Sequence, residues 1–250
     1  MRVGDTQALV SLSGPIEVRP NSELPSQATV EVHIRPLASV PGTDSKTLAA
    51  TVKSILTPVL LLSHHPRTLI QIVGQALCSS DGVQYGSATR GWHPSLVASV
   101  INATSAALIN TGSIPMKGVV CAVAVGRSVA SGTPVLEPTL LLDPSEAELP
   151  TLAGGGCFVY MFSSTLSGTP APGIPQCSLL WTNYAASSGT FGQDELNQAR
   201  LMAQSAARRI WRELKRSVEG TPPASASSEG GNQGANTSSE VSIDDERMEI

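Results

Sequence analysis

Apolar and polar residues follow two periods along the chain, one typical of strands and one typical of helices. Every second residue is apolar in 30–34, which predicts a strand with one buried face. The continuous apolar run 118–126 has strand length and predicts a buried central strand. In all, strands are predicted at 6–12, 30–34, 68–77, 118–126, 135–142, 157–162 and 178–181, with a turn at Gly14-Pro15.

Helical spacing of apolar residues occurs in two segments of the first half. The first helix is predicted to have Ser45 as its N-cap, to run through Val59 and to end at His64-His65-Pro66. The second helix extends from about Ser95 to Thr111, where Gly112 ends it. A polar, Gly-containing loop is expected before it, between residues 79 and 94.

A third helix is predicted from Asp194 to Val218, where one apolar stripe runs the whole length. The stripe consists of Leu196, Ala199, Ala203, Ala206, Ile210 and Leu214. The cations Arg200, Arg208, Arg212, Lys215 and Arg216 lie mostly off the stripe. We interpret them as the solvated face of a packed helix, where cations near the C-terminal end also suit the helix dipole. They are not interpreted as an RNA site.

Mixed strands and helices within 1–219 predict one α/β (α+β) domain of packed layers. From Gly220 onward the chain contains six acids and one base, a net charge of −5, so the body before it is close to +1. Residues 220–250 are rich in Gly and Ser with few bulky apolar residues, which predicts a disordered acidic tail.

The composition favours a protein that works in an assembly. The apolar share is 41% and the charged share only 14%, so a large core forms while little surface charge remains. Since the body is nearly neutral, it lacks the basic field that drives strong nucleic-acid binding on its own.

Cysteine spacing and hydropathy exclude several other classes. The four cysteines are scattered without a CxxC pair, which argues against a zinc site or a disulfide framework. No run approaches the roughly 18 apolar residues of a membrane span, and the start of the chain lacks a signal-peptide pattern. An intracellular protein without membrane attachment is expected.

Six segments, taken in order, resemble the framework motifs of RNase PH-like proteins, and in particular of ring subunits of the eukaryotic RNA exosome of the ribosomal RNA-processing type. They are Gly4-Asp5-Thr6, 14–20, 65–72, Ile114-Pro115-Met116, Leu142-Asp143-Pro144 and the long terminal helix. The resemblance implies an RNase PH-like two-layer βαβα fold (ribosomal protein S5 domain 2-like) with mixed sheets and packed helices. Family members carry additional opening strands, so these are expected to be missing here, and the loop 80–94 is longer than in the family.

The resemblance also implies partners and a location. The expected partners are other RNase PH-like exosome subunits and RNA-binding cap subunits, in a hetero-oligomeric ring through which RNA threads. The expected location is the nucleus and nucleolus, and also the cytoplasm. No cofactor is expected.

Three positions depart from the active members of that family. Lys46-Thr47 stand where they carry an Arg pair for the RNA backbone, and a lysine is a point charge rather than a bidentate fork. Leu96-Val97 stand at the positions where active members carry a Thr-Arg pair that binds phosphate. The stretch 149–156, where they place aspartates, ends in three glycines, and glycine neither holds a cation nor donates a proton. The sequence therefore predicts a structural subunit without catalytic, phosphate-binding or metal-binding residues.

Weak RNA contact is expected through His33, Arg35 and Lys46 if the channel-facing loops follow the family. His33 stands where active members have an arginine, so this contact is expected to be reduced.

The alternative is an active phosphate-dependent 3′→5′ exoribonuclease of the RNase PH type. It would use displaced residues, namely Thr89, Arg90, Glu146 and Glu148. Both hypotheses share the fold and differ in chemistry.

Overall fold

A computed structural model describes residues 2–3, 6–37, 40–78, 93–128, 139–145, 147–166, 173–187 and 190–220. In this part of the chain the strands are β1 (Arg2–Val3), β2 (Thr6–Glu17), β3 (Thr29–Arg35), β4 (Thr68–Ala76), β5 (Val119–Ser128), β6 (Thr139–Leu142), β7 (Leu152–Ser163), β8 (Gln176–Thr182) and β9 (Ala185–Ala186). The α-helices are α1 (Thr43–Leu56), α2 (Pro94–Thr111) and α3 (Gln193–Glu219). Short 3-10 turns span Pro20–Ser22, Leu62–His64 and Leu149–Thr151.

The first sheet has the strand order β1-β2-β4-β3. β2 is antiparallel to β4, and β3 is parallel to β4 because α1 connects β3 to β4. Ile70, Ile72 and Ile34 are buried on its inner face, and residues one position away along each strand point to the other face. The period of two in the sequence therefore predicted this sheet correctly.

The second sheet is antiparallel, with the strand order β6-β5-β7-β8 and β9 paired to β7. Both of its faces are covered. Ala122 and Val159 face the same core as α1 and α2, whereas Val123, Phe158 and Tyr160 face the core that contains α3. This double burial explains the continuous apolar run of β5.

The layers follow one another in the order first sheet, α1 and α2, second sheet, α3. A sheet packed on helices therefore occurs twice. α2 lies between the sheets and contacts both β2 and β5. Its buried Asn102 donates from Nδ2 to the Ala122 oxygen (2.8 Å) and accepts from the Ala122 nitrogen at Oδ1 (2.7 Å). The amide thereby fixes α2 on the middle of β5, and the predicted α/β class is confirmed.

The terminal helix α3 covers the second sheet with the predicted stripe. Ala199, Ala203 and Leu214 are buried as expected, but Ala207 is the fully buried residue where Ala206 was predicted. Small side chains in the middle of the stripe allow the helix backbone to lie close to the sheet.

Helix α1 differs from the prediction at both ends. Gly42 is its N-cap, in extended conformation, and Ser45 lies buried inside the first turn. The helix ends at Leu56 rather than continuing through Val59, which is buried in the turn that follows. Burial of Val59 satisfies the apolar period without helical backbone, which explains the overextended prediction. Gly112 ends α2 as predicted, with left-handed φ of 64°.

Two strands run further than the sequence pattern predicted. β2 continues through Gly14-Pro15 to Glu17, with a shift of register in place of the expected turn. β7 begins at Leu152, five residues before the predicted Cys157. The predicted features at 79–92, 135–138 and 221–250 lie outside the described residues.

Cys121 and Cys157 are buried in strands, and all four cysteines are free thiols. Burial raises the pKa of both buried thiols far above its ordinary value, so they remain protonated core residues. Among the described helices, none is long and apolar enough to cross a membrane.

Candidate nucleic-acid interface

His33 and Arg35 lie on the outer face of the first sheet, near the end of edge strand β3. Ile34 between them is buried, so the two polar side chains point away from the core. The strand register places His33 beside Val73 and Arg35 beside Gln75 of β4. The structure therefore brings these two predicted residues together on one exposed surface.

A surface depression of about 340 Å³ adjoins His33. It is lined by Val18, Arg19, Ser22, Glu31, His33 and Gln71. Arg19, which the sequence reasoning used only as part of a framework motif, places a cation beside His33. Glu31 Oε2 lies 3.8 Å from His33 Nε2, which weakens the attraction of this surface for phosphate groups.

Lys46 lies elsewhere. It is exposed in the first turn of α1, and the buried side of that helix packs with Val30 and Ile34 in the core on the inner face of the first sheet. The helix layer and the outer face are opposite sides of the same sheet. His33 and Arg35 thus form one surface, and Lys46 does not belong to it.

At the start of α2, where the resemblance predicts the phosphate position of active members, the chain's own side chains occupy the space. His93 is the N-cap and accepts from the Ser95 nitrogen at Nδ1 (2.9 Å), while Ser95 Oγ donates to the Pro144 oxygen (3.1 Å). Leu96 and Val97 are buried. Burial lowers the pKa of His93 to about 4, so the imidazole is neutral at neutral pH and supplies no charge for an anion.

The three glycines at 154–156 lie within β7, between neighbouring backbones. A Cβ on Gly155 would come within 2.5 Å of the Val125 oxygen, and one on Gly156 within 2.5 Å of the Tyr184 Cα. A Cβ on Gly154 would meet the Ala185 oxygen at 2.6 Å. These positions accommodate no side chain, so the glycines have a structural reason that the sequence reasoning did not find.

Of the two acids that the alternative enzyme hypothesis requires, Glu148 stabilises a turn through hydrogen bonds with Ser145. Its Oε2 accepts from the nitrogen (2.8 Å) and the Oγ (2.9 Å) of Ser145, and these bonds lower the pKa of the carboxyl group. Since a carboxyl group with a lowered pKa is ionised at neutral pH, it has no proton to donate as a general acid. Thr89, Arg90 and Glu146 lie outside the described residues.

Asp143 is a further acid that sequence reasoning treated only as framework. It is half buried and has a positive φ of 48°. Burial raises the pKa of its carboxyl group. Within the described residues no group of three or more His, Cys, Asp or Glu side chains is arranged to hold a metal ion.

Residues 1–113 match the RNase PH family, described as "3′ exoribonuclease family, domain 1". Residues 1–113 carry an RNase PH domain. The predicted resemblance is thereby confirmed, and the framework motifs at 4–6, 14–20 and 65–72 lie within the matched segment.

The RNase PH domain has relatives among exosome proteins. The chain is 38% identical over 77 residues to "Exosome complex component RRP46" of Saccharomyces cerevisiae, covering 31% of this chain and 34% of the relative. It is 32% identical over 120 residues to "Exosome complex component rrp46" of Schizosaccharomyces pombe, covering 48% and 47%. It is 30% identical over 170 residues to "Exosome complex exonuclease RRP46 homolog" of Oryza sativa, covering 68% and 62%. In each case less than two thirds of the relative's length is spanned.

The crystal structure of rice Rrp46 has the same fold as this chain. The TM-score is 0.65 at 24% sequence identity, over 86% of this chain and 85% of the other. The shared fold extends beyond the first 113 residues, since it covers 86% of this chain.

Proposed function

We propose that the protein is a non-catalytic, RNase PH-like ring subunit of the RNA exosome. The observation that carries this proposal is that the chain's own side chains occupy the expected phosphate position. The His93 side chain accepts a hydrogen bond from the Ser95 backbone N–H, which an anion at the start of α2 would need, and Leu96 and Val97 are buried in the core. The glycines 154–156 add support, because no side chain fits at these three positions of the stretch where active members place aspartates. The chain keeps the fold and uses these positions for packing.

Exposed apolar residues support assembly with partner subunits. In the strand register Leu9 of β2 and Arg35 of β3 lie on either side of Gln75 of β4. Leu77 lies two residues after Gln75, and Leu37 lies two residues after Arg35. All three leucines are exposed at this end of the first sheet. Grouped apolar residues on a surface poor in charge are typical of a protein interface. The proposed partners are other RNase PH-like subunits and RNA-binding cap subunits, in the nucleus, the nucleolus and the cytoplasm.

RNA contact in this proposal is weak and non-specific. His33 and Arg35 on the outer face, with Arg19 nearby, offer few cations, and Glu31 opposes them. Lys46 offers a separate contact on the helix layer. Support of ribosomal RNA maturation is proposed as the role of the ring to which the subunit belongs.

Reconstitution with the other ring subunits of the same organism tests the proposal. We expect a stable hetero-oligomer by size-exclusion chromatography with light scattering, and no phosphate-dependent release of nucleoside diphosphates from single-stranded RNA by the isolated chain with Mg²⁺. A chain that stays monomeric beside correctly assembled partners would contradict the assembly part.

Active phosphorolysis is the second candidate, because the rice relative is named an exonuclease. It would require Thr89, Arg90, Glu146 or Glu148 to act in place of the family positions. The same assay decides it: phosphate-dependent activity that Arg90→Ala abolishes would replace the non-catalytic proposal, whereas activity that survives this change would point to a contaminating nuclease.

The RNA surface is tested separately by gel shift with single-stranded RNA at low salt, in the assembled ring. We expect His33→Ala with Arg35→Ala to weaken binding about twofold to fivefold, and Lys46→Ala to act independently, since it lies on the other layer. Arg200→Ala on α3 serves as the control with an equal change of charge. Unchanged binding in the double variant would remove the outer face from the RNA path.

A further inference from the structure

The solvent side of α3 carries a compact basic ridge, which we define as Arg208, Arg209, Arg212, Lys215 and Arg216. Five cations and one carboxylate, Glu213, fall within nine residues, a net charge of +4. Four of the five cations are exposed and Arg208 is half buried. Helical spacing places all five on the side opposite to buried Ala203, Ala207 and Leu214.

Much of this charge has no partner within the described part of the chain. Glu213 is bound to Arg216, and Lys215 pairs with Glu219 at 3.6 Å and lies 5.6 Å from the centre of the Trp211 ring. Arg208, Arg209 and Arg212 form no ion pair with any described residue. Adjacent arginines repel one another at low ionic strength, so the ridge favours an anionic occupant.

The sequence that follows α3 contains a segment of opposite charge. Glu240–Ile250, the acidic segment, has five carboxylates and one arginine, a net charge of −4. It is separated from Gly220 by 221–239, which consist mainly of Gly, Ser, Ala, Asn and Pro. The charge of the acidic segment thus matches that of the basic ridge in magnitude.

The reach of the connection is sufficient. Arg209 lies eleven residues before Gly220, about 17 Å along the helix axis at 1.5 Å per residue. A Gly/Ser-rich linker of this length has a root-mean-square span of about 24 Å. Since that span exceeds the distance, the acidic segment meets the ridge at an effective concentration in the millimolar range.

We propose that the acidic segment docks on the basic ridge of its own chain and screens it from other polyanions, including RNA. Individual surface ion pairs contribute about 0 to 1 kcal/mol, so the docking depends on several pairs acting together and on the tether. It is therefore weak, reversible and sensitive to salt. The inference stands independently of the proposed ring function.

Backbone amide NMR of the full chain tests it. The variant neutralises the five acids of the segment (Glu240→Gln, Asp244→Asn, Asp245→Asn, Glu246→Gln, Glu249→Gln), and Glu229→Gln, outside the segment, is the control. We expect the variant, but not the control, to shift the amide signals of Arg208, Arg209 and Arg212 at 50 mM salt, and the difference to vanish at 500 mM. Shifts that grow with protein concentration would indicate a second copy and overturn the intramolecular dock.

A binding assay with a 20-nucleotide oligo-U gives a second readout. Neutralising the acidic segment is expected to tighten binding at 50 mM salt by about tenfold, the equivalent of 1.4 kcal/mol. Adding Arg209→Gln and Arg212→Gln removes this gain, whereas adding Arg200→Gln does not. If RNA shifts the amide signals of the basic ridge equally in the native chain and in the variant with the five acids neutralised, the ridge is open to RNA and the proposal is overturned.

Discussion

Gly155→Ser is expected to lower the free energy of unfolding by at least about 4 kcal/mol or to prevent folding. The new Cβ would lie 2.5 Å from the Val125 oxygen and 3.0 Å from the Gly126 Cα, both in the backbone of the paired strand β5. Backbone atoms in the centre of a sheet cannot move aside without breaking the ladder. The φ of 146° adds strain for any residue with a side chain, of order 1–3 kcal/mol.

Urea unfolding followed by circular dichroism measures this loss, with Gly192→Ser as the matched control. Gly192 is the N-cap of α3, and nothing lies within 4 Å of its Cβ position. Serine is a favourable N-cap residue, so the control keeps the stability within about 0.5 kcal/mol or raises it slightly. A Gly155→Ser protein as stable as the control would show that β7 is not held as closely as described.

Glu195→Gln has the second largest expected effect, a loss of about 3 kcal/mol. Glu195 Oε1 accepts from Arg127 Nε (2.8 Å) and from the Tyr184 hydroxyl (2.7 Å), and the side chains of Arg127 and Glu195 are only 9% and 11% exposed. Removing the carboxylate charge breaks the buried ion pair between Glu195 and Arg127, and breaking such a pair typically costs 3–5 kcal/mol. The pKa of Tyr184 is raised by burial and by this carboxylate, so the phenol remains a donor.

A double-mutant cycle separates the pair from its surroundings. Arg127→Met combined with Glu195→Gln is expected to cost clearly less than the sum of the single changes, because no buried charge remains unpaired. Glu213→Gln is the control: it breaks the exposed pair with Arg216 and is expected to cost less than about 0.5 kcal/mol. Additive single effects at Arg127 and Glu195 would contradict the coupling.

Elements with a one-sided apolar period were predictable from the sequence, because burial on one face imposes that period. β3 and α3 are the clearest cases, with Ile34 and Ala199 buried where the pattern required. β7 was predicted too short, since glycines carry no apolar signal and Gly154 and Gly155 are in the strand for reasons of space. Ser45 was misassigned as a cap because a buried serine in a first turn has the same local sequence as a cap.

The candidate site was less predictable, because its residues meet only through tertiary structure. His33 and Arg35 share a face by strand alternation, which the sequence contains. Arg19, just after β2, lies beside His33 in the same depression, whereas Lys46 is separated from His33 and Arg35 by the packing of α1 on the inner face. The N-cap of α2 by the His93 side chain was only weakly indicated by the sequence, in which a polar residue precedes Pro94.

The hydrogen bonds of the Asn102 amide affect how the protein unfolds. Because its amide binds both polar groups of Ala122, α2 belongs to the first and the second sheet at once. Neither sheet can separate from α2 without exposing apolar surface or leaving that amide unsatisfied. The two halves are therefore expected to lose structure together, in one cooperative transition rather than as independent folding units.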